Sequence, residues 1–247
     1  MQAFAYSNSP YPIRPDLPEA YRDAWQQLAN PGTWWSGRER VALAQEVRNA
    51  QGCELCANRK AALSPFADVE GRHLATSKLP SSVVDVVHRL TTDPSRLTPS
   101  WLQEVTSEAF TSGHYVETIS VVVTTLCIDT FHRSLGFDLE PLPAPHDGQP
   151  SVYVPEGLNN DTGWVPMIGQ AQDPEQDLWP GARMVPNVIK ALSSVPDAVR
   201  LLKTLSAAQY VPMADVPNPS AGGDRAISRA QIEFIAARVS AINDCFY

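Results

Sequence analysis

The stretch VETISVVVTTLCIDTFHRSL, residues 116–135, is apolar on more than one side of a helix. One stripe at helical spacing contains Val116, Ile119, Val123, Leu126, Cys127 and Phe131. The remaining faces are also apolar, through Val121, Val122 and Ile128. A helix that is apolar all round is normally buried. We therefore expect a central buried helix with other helices packed around it.

Further helices are predicted on both sides of this stretch. Helical spacing of apolar residues runs over residues 39–50, 81–90 and 185–210, with a break in the last segment at Pro196. Thr98-Pro99 is typical of a helix start, because proline suits the first turn. Ser228 is a candidate cap for a final helix that carries Ile232, Ile235, Val239 and Ile242. Alternating strand patterns are rare, so the predicted fold class is all-α.

The composition bounds the possible partners. The chain has 247 residues, 43% of them hydrophobic, and a net charge of −8. A chain of this length can bury a core without disulfides or metals. Its acidic balance disfavours nucleic acid and anionic membranes as partners. No leader pattern opens the chain, and the apolar run 119–131 is too short for a membrane span, so we expect a cytoplasmic protein.

Proline predicts a division of the chain. Eight of the 22 prolines lie between Gly136 and Gly181, and no helix tolerates that density. A structureless loop of this length is uncommon inside one domain, so a connector between two modules is favoured. The expected parts are an N-terminal extension (1–17), a first helical module (18–137), a connector (138–182) and the front half of a second module (183–247).

The segment Gly52-Cys53-Glu54-Leu55-Cys56 is the sharpest chemical feature. A thiolate at the start of a helix is stabilised by free amides and the helix dipole, and Arg59 and Lys60 could lower a thiol pKa further. Such a thiolate attacks a peroxide or disulfide, and its neighbour resolves the product as a disulfide.

Inert buried thiols are one alternative to redox chemistry at this motif. A zinc site is another, but a second Cys-x-x-Cys is missing, and His73 and His88 lie at spacings unlike a zinc finger. We therefore expect redox chemistry, with no metal and no cofactor.

A weak internal repeat accompanies this motif. When Cys53 is superposed on Cys245, residues 40–50 align with residues 232–242. Few identities result, but the helical character and the cysteine recur. This pattern predicts two related modules.

Residues 225–247 resemble the approach to the active site of alkylhydroperoxidase D-like proteins, in the carboxymuconolactone decarboxylase-like superfamily. In that pattern a Glu lies twelve residues before the first Cys of a Cys-x-x-Cys, and a His lies four residues after the second. Glu233 and Cys245 match the first spacing. Residues 18–137 resemble a diverged full copy, and residues 183–247 resemble an incomplete second one.

The resemblance implies an all-α, usually oligomeric protein with peroxidase or disulfide-reductase activity. Its substrate would be a hydroperoxide, and its reductant a dithiol or a thioredoxin-like protein. The resemblance makes Cys56 the residue that attacks peroxide and Cys53 the resolving residue. It places Glu233 and Cys245 in a second centre.

The first copy departs from the family pattern at both proton-relay positions. Val41 stands where the pattern has Glu, and Lys60 stands where it has His. Glu39 and Glu46 point roughly 160° and 140° away from position 41 on a helix, so we do not expect them to substitute.

Any relay would then come from another helix. The candidates are His73, Glu117, Asp129 and His132. Structural explanations also exist: Glu117 would be a surface carboxylate, His132 would lie near solvent, and Asp129 would pair with Arg133 four residues on. Cys127 has no cysteine near it in sequence and is expected to be a buried apolar side chain.

The second copy reaches Tyr247 one residue before its expected second cysteine. A truncated chain, a frameshift or a UGA codon read as selenocysteine would each account for this. Some members of the family that the chain resembles carry selenocysteine at that position. A selenol is more acidic and more nucleophilic than a thiol, which suits the position that attacks peroxide. The codon that follows Tyr247 tests these readings.

Three functions remain open at the level of sequence. The favoured one is a thiol-dependent peroxidase that uses Cys53 and Cys56. A second is a non-catalytic scaffold module that supports the other copy, since Glu and His are both replaced. A third is a lactone decarboxylase-like enzyme, which the cysteine pair disfavours because that branch of the superfamily does not require it.

Overall fold

The structure is a computed structural model that describes residues 3–64, 67–169, 178–180, 185–220, 225–243 and 245. The described chain is helix-rich, which is compatible with the predicted all-α class. Its helices are α1 (Asp16–Ala29), α2 (Gly37–Ala50), α3 (Glu54–Ala61), α4 (Ser81–Thr92), α5 (Pro99–Val105), α6 (Ser112–Leu135), α7 (Asn187–Lys190), α8 (Pro196–Gln209) and α9 (Arg229–Ile242). Two-residue strands β1 (Leu158–Asn159) and β2 (Met167–Ile168) pair antiparallel. Single 3-10 turns occupy Pro94–Arg96 and Met213–Asp215.

Helix α6 occupies the centre of the fold, as the sequence predicts. It packs against α1, α2, α4 and α8. Thr111 caps its first turn in a reciprocal arrangement with His114, and Gly136 ends it in the left-handed conformation at φ 72°. None of the described helices, α6 included, combines the length and apolar character needed to cross a bilayer.

The buried face of α6 differs from the predicted stripe. Val121, Val122 and Ile128 are buried, whereas Val123 is 37% exposed. Cys127 is half-buried rather than buried. Helix α6 contacts other helices on several sides. The predicted apolar stripe therefore does not coincide with a single buried face.

Helix α2 connects the core to the cysteine motif. It begins at a capping box formed by Ser36 and Glu39, and it packs mainly on α4 and α6. Its buried face includes Leu43, Glu46, Val47 and Ala50. The chain then turns directly into α3, which brings the cysteines beside α4.

The proline-rich connector packs along the first helices. The backbone amides of His146, Ser151 and Val152 donate to the carbonyls of Ala29, Gly32 and Thr33. Beyond the connector, α8 begins at Pro196 and packs on α1 and α6, so its buried side chains join the same apolar core. The predicted boundary at 182/183 lies outside the described residues, and the division into modules stays a prediction.

Helix α9 has little packing. Ser228 caps it, as predicted, but Ile232 is the one buried residue among those described in this helix. The other members of its predicted apolar stripe are exposed: Ile235, Val239 and Ile242. Phe234, outside that stripe, is also exposed.

Candidate functional site

Cys53 and Cys56 occupy the start of α3. Cys53 is the N-cap residue, and Cys56 lies in the first turn. Both are free thiols; Cys53 is half-buried, whereas Cys56 is only 3% exposed. The amide of Cys53 donates to the carbonyl of Ala50 at 3.2 Å, which fixes the turn between α2 and α3. The predicted position of the motif at a helix N-terminus is therefore observed.

Two histidines converge on the two sulfurs. His73 comes from the segment between α3 and α4, and its Nδ1 lies 3.3 Å from Cys53 Sγ and 3.8 Å from Cys56 Sγ. His88 comes from α4, and its Nδ1 lies 3.4 Å from Cys56 Sγ. The two imidazole rings are 4.2 Å apart between centroids.

The far nitrogen of each histidine is held by a carboxylate. Nε2 of His73 lies 2.9 Å from Asp85 Oδ1, and Nε2 of His88 lies 3.2 Å from Glu46 Oε2. Asp85 and His88 are three residues apart on one face of α4. The site thus consists of two parallel rows, each running from sulfur through imidazole to carboxylate.

Glu46 is fully buried but well supplied with donors. Its carboxylate accepts from the amides of Thr76 and Ser77 at 2.8 and 2.6 Å and from the side-chain amide of Asn49 at 2.9 Å. Burial opposes ionisation, but these donors and His88 outweigh it and lower the pKa of Glu46 to about 2. Glu46 is therefore a carboxylate that can only accept hydrogen bonds.

Asp85 is surrounded by cationic groups. It pairs with Arg59 and, at 3.2 Å, with Arg89. Burial would raise the pKa of Asp85, but its hydrogen bonds to His73 and Arg59 hold that pKa well below its usual range. The sequence suggested that Arg59 could lower a thiol pKa. Its guanidinium pairs with Asp85 and lies 3.2 Å from Nε2 of His73, so His73 stands between it and the sulfurs.

Cys53 and His73 stabilise each other's charged forms. Burial raises the pKa of the Cys53 thiol, but hydrogen bonds from His73 and Cys56 outweigh burial, so its pKa lies below the ordinary value. Burial lowers the pKa of His73, yet Asp85 and the two sulfurs together raise it to about 10. This half of the site favours a thiolate beside an imidazolium.

Cys56 and His88 form a different pair. Burial is the main cause that lowers the pKa of His88, against the opposing effect of Glu46. A neutral His88 carries one proton, and the Glu46 carboxylate requires that proton on Nε2. Nδ1 of His88 is then an acceptor aimed at the thiol of Cys56, which is the geometry of a general base.

Glu46 does not face the cysteines directly, as the helical angle predicts. It is linked to Cys56 through His88 on a neighbouring helix, and this link was not predicted. One signal was available, because Leu43, Glu46 and Ala50 share the buried face of α2. His88 and Asp85 were not named as relay candidates; both lie in the valine-rich helix α4.

Three of the four relay candidates lie elsewhere. Only His73 reaches the sulfurs. Glu117 is not a surface carboxylate but a buried one, 2.8 Å from Arg40, and it also accepts from the amide of Trp34. Because α6 is central, its polar side chains are enclosed by α2 and by the segment that precedes it.

Asp129 and His132 also have structural partners. Asp129 receives two hydrogen bonds from Arg48, at 2.8 and 2.9 Å, while the expected Arg133 is 4.0 Å away. His132 is buried rather than near solvent, and its Nε2 lies 2.8 Å from the hydroxyl of Tyr6. The N-terminal residues pack over this end of α6, which the helical pattern alone did not indicate.

His73 and His88 converge with the two cysteines, although their spacing in the sequence is unlike that of a zinc finger. Cys53, Cys56, His73 and His88 each offer one ligand atom, and these four atoms lie within 4.8 Å of one another. The histidines are distant from the cysteines in sequence, but the described residues 67–80 fold back over α3. Sequence spacing could not reveal this convergence.

The predicted second centre is not assembled among the described residues. Glu233 accepts from the hydroxyl of Tyr210 and pairs with Arg229, and Cys245 is exposed with its amide bonded to Ser240. No hydrogen bond joins Glu233 to Cys245 in the part of the chain that the structure describes. Asp244, Phe246 and Tyr247 lie outside it.

Comparisons with known proteins gave no match: no family model, no curated protein and no solved structure resembles the chain closely enough to assign it.

Proposed function

We propose that the chain is a thiol-dependent peroxidase that reduces hydroperoxides through a Cys53/Cys56 dithiol–disulfide cycle. One observation carries this proposal: each sulfur lies within hydrogen-bond reach of its own carboxylate-held histidine. An activated thiol needs a nearby base oriented by a third group, and this site has two such arrangements.

The geometry favours Cys53 as the residue that attacks peroxide. Cys53 is the more accessible thiol, and His73 stabilises its thiolate. Cys56 is buried against His88, which suits a resolving thiol that loses its proton to a neutral base. This order is the reverse of the one that the family resemblance implies.

The reaction balances in two steps. The Cys53 thiolate attacks the outer oxygen of the hydroperoxide, the O–O bond breaks, and a proton from the imidazolium of His73 goes to the leaving alkoxide. Cys53 is then a sulfenic acid. Cys56 passes its proton to His88, and the resulting thiolate attacks the Cys53 sulfur. The S–O bond breaks, the leaving hydroxide takes up that proton, and water departs as the disulfide forms.

Turnover requires an external dithiol. A small dithiol or a thioredoxin-like protein would attack the disulfide and return both cysteines to the thiol form. The accessible sulfur of Cys53 is the one that such a partner can reach, so the mixed disulfide would form there.

The test combines turnover with a single-turnover trap. Cys53→Ser and Cys56→Ser should each abolish hydroperoxide turnover with a dithiol. In one turnover, Cys56→Ser should still consume one equivalent of peroxide and leave a sulfenic acid on Cys53 that a dimedone-type reagent captures.

Cys127→Ser is the matched control, because Cys127 lies on α6 and contacts neither site sulfur through any described hydrogen bond. Turnover by Cys53→Ser at the unmodified rate would refute the proposal. A sulfenic acid found on Cys56 in Cys53→Ser, with none on Cys53 in Cys56→Ser, would reverse the order of attack.

We propose further that the fold is that of an alkylhydroperoxidase D-like tandem repeat, acting as an oligomer in a reducing cytoplasm. The order of an amphipathic helix, a turn and a cysteine recurs in α2–Cys53 and in α9–Cys245, which supports the repeat. Within such a fold, Glu46 and His88 would replace the family's relay residues, whose positions hold Val41 and Lys60.

A further inference from the structure

We propose that the reduced chain binds one Zn2+ ion through Cys53, Cys56, His73 and His88. The proposal is independent of the peroxidase function, because it concerns the reduced site in the absence of any peroxide. It starts from four ligand atoms that already converge on one point.

The separations of these atoms match a tetrahedral ion. With Zn–S near 2.3 Å and Zn–N near 2.0 Å, a tetrahedron places sulfur and nitrogen ligands about 3.5 Å apart. The three measured Sγ–Nδ1 separations are 3.3, 3.4 and 3.8 Å. The other three separations among the four ligand atoms are at most 4.8 Å.

The histidines are oriented as metal ligands require. Each turns Nδ1 toward the sulfurs, and its Nε2 lies beside a carboxylate, Asp85 for His73 and Glu46 for His88. A carboxylate only accepts hydrogen bonds, so it requires the proton on Nε2. A carboxylate behind a histidine fixes the tautomer that leaves the other nitrogen free to bind, and it strengthens that nitrogen as a donor. Both histidines of the cluster have this support.

The chemical types of the four ligand atoms favour one metal. Two thiolates and two imidazoles in a tetrahedral arrangement suit Zn2+, whereas Mg2+ and Ca2+ prefer oxygen ligands in larger shells. Four protein ligands also leave no open position, which is the pattern of a structural rather than a catalytic zinc site.

Metal binding and peroxide chemistry would compete for the same sulfurs. The ion replaces two protons shared by the cysteines and histidines, so binding releases them. Oxidation of the two thiolates by a hydroperoxide forms the disulfide, consumes two protons, and yields alcohol, water and free Zn2+. The disulfide has no thiolate left to hold the ion, so only the reduced chain should bind it.

Co2+ is the probe, because it takes the same site and reports its ligands by absorption. Reduced, metal-free full-length chain should bind one equivalent with intense tetrahedral visible bands and a thiolate-to-cobalt charge-transfer band. One equivalent of Zn2+ should displace it. Pre-oxidation to the Cys53–Cys56 disulfide should abolish both bands.

Variants separate ligation from folding. Cys53→Ser, Cys56→Ser, His73→Gln and His88→Gln should each lose the complex, whereas His73→Cys, which restores a ligand, should regain it with a stronger charge-transfer band. Asp85→Asn keeps all four ligands and should weaken Zn2+ binding by about 10- to 100-fold, because it removes the support behind His73. Controls are Cys127→Ser and the exposed His146→Asn, with circular dichroism to confirm helix content.

Absence of the charge-transfer band in reduced chain, or equal binding by His73→Gln and the unmodified chain, would overturn the metal site. The peroxidase proposal would survive that result, because turnover is measured on metal-free protein. Failure of turnover together with intact Co2+ binding would overturn the peroxidase and leave the metal site standing.

Discussion

At the scale of single residues, the two cysteines share one helical turn but differ in their surroundings. In metal-free, reduced chain, Cys53 should react with iodoacetamide at a pH below the ordinary thiol pKa of about 8.5. The physical reason is His73, which offsets the effect of burial and lowers the pKa of Cys53. His73→Ala should move the midpoint of the rate-against-pH curve upward.

Mass spectrometry of each cysteine peptide makes this measurement site-specific. Cys127 is a useful internal reference, because burial raises the pKa of its thiol. An ordinary or raised midpoint at Cys53 would instead favour the scaffold interpretation, in which the pair is chemically inert.

The buried pair of Glu117 and Arg40 supports a second prediction at this scale. Glu117→Gln keeps the shape but leaves the guanidinium of Arg40 buried without a charge partner. Removing one member of a buried pair typically costs about 3–5 kcal/mol of unfolding free energy. Urea denaturation followed by circular dichroism measures it.

The exposed pair of Arg38 and Asp147 is the control for that experiment. Asp147→Asn should change stability by less than about 1 kcal/mol, since solvent screens an exposed pair. Equal losses in the two variants would contradict the role given to burial.

The residues of the site were only partly predictable. The Cys-x-x-Cys motif is local, so its placement at a helix N-terminus followed from the sequence alone. His73, His88, Glu46 and Asp85 come from three separate segments, and their meeting depends on how α2, α3 and α4 pack. A single sequence contains no direct signal of that packing.

At the scale of elements, close backbone approach constrains the start of α6. An alanine Cβ at Gly113 would lie 2.2 Å from Nε1 of Trp34, whereas one at Gly52 would meet nothing within 4 Å. Alanine normally favours a helix over glycine by about 0.5–1 kcal/mol. Gly113→Ala should nevertheless destabilise the chain, because the indole of Trp34 must move.

Gly52→Ala is the matched control and should be close to neutral in the same denaturation assay. Stabilisation by Gly113→Ala would show that Trp34 packs less tightly against α6 than the structure describes.

Helix positions were predicted better than helix faces. The helix predicted over residues 39–50 is observed as Gly37–Ala50. The predicted helix start at Thr98-Pro99 and the break at Pro196 are also observed. The predicted buried face of α6 was wrong at Val123, which is exposed. A helix enclosed on several sides has no single apolar stripe that faces the core. Periodicity records spacing along one helix, and burial depends on its neighbours.

At the scale of the whole molecule, the candidate site joins α2, α3, α4 and the segment between α3 and α4. His73 lies on the segment between α3 and α4, and Glu46 binds the amides of Thr76 and Ser77 from the same segment. A bound ion would fasten this segment to α3 and α4 at once. Metal binding should therefore be visible in global stability and not only in local spectra.

The expected stabilisation of the folded chain by Zn2+ follows from mass action. A ligand at 100 times its Kd, bound only by the folded state, stabilises by about 2.7 kcal/mol. For a chain of 247 residues, about 2–4 °C of Tm per kcal/mol gives a rise of roughly 5–10 °C. Scanning calorimetry of reduced chain with and without Zn2+ should show it, and His146→Asn should respond equally. The rise should vanish in Cys56→Ser and in peroxide-treated chain, because both lack the pair of thiolates; a rise that persists in either would place the stabilising metal at some other site.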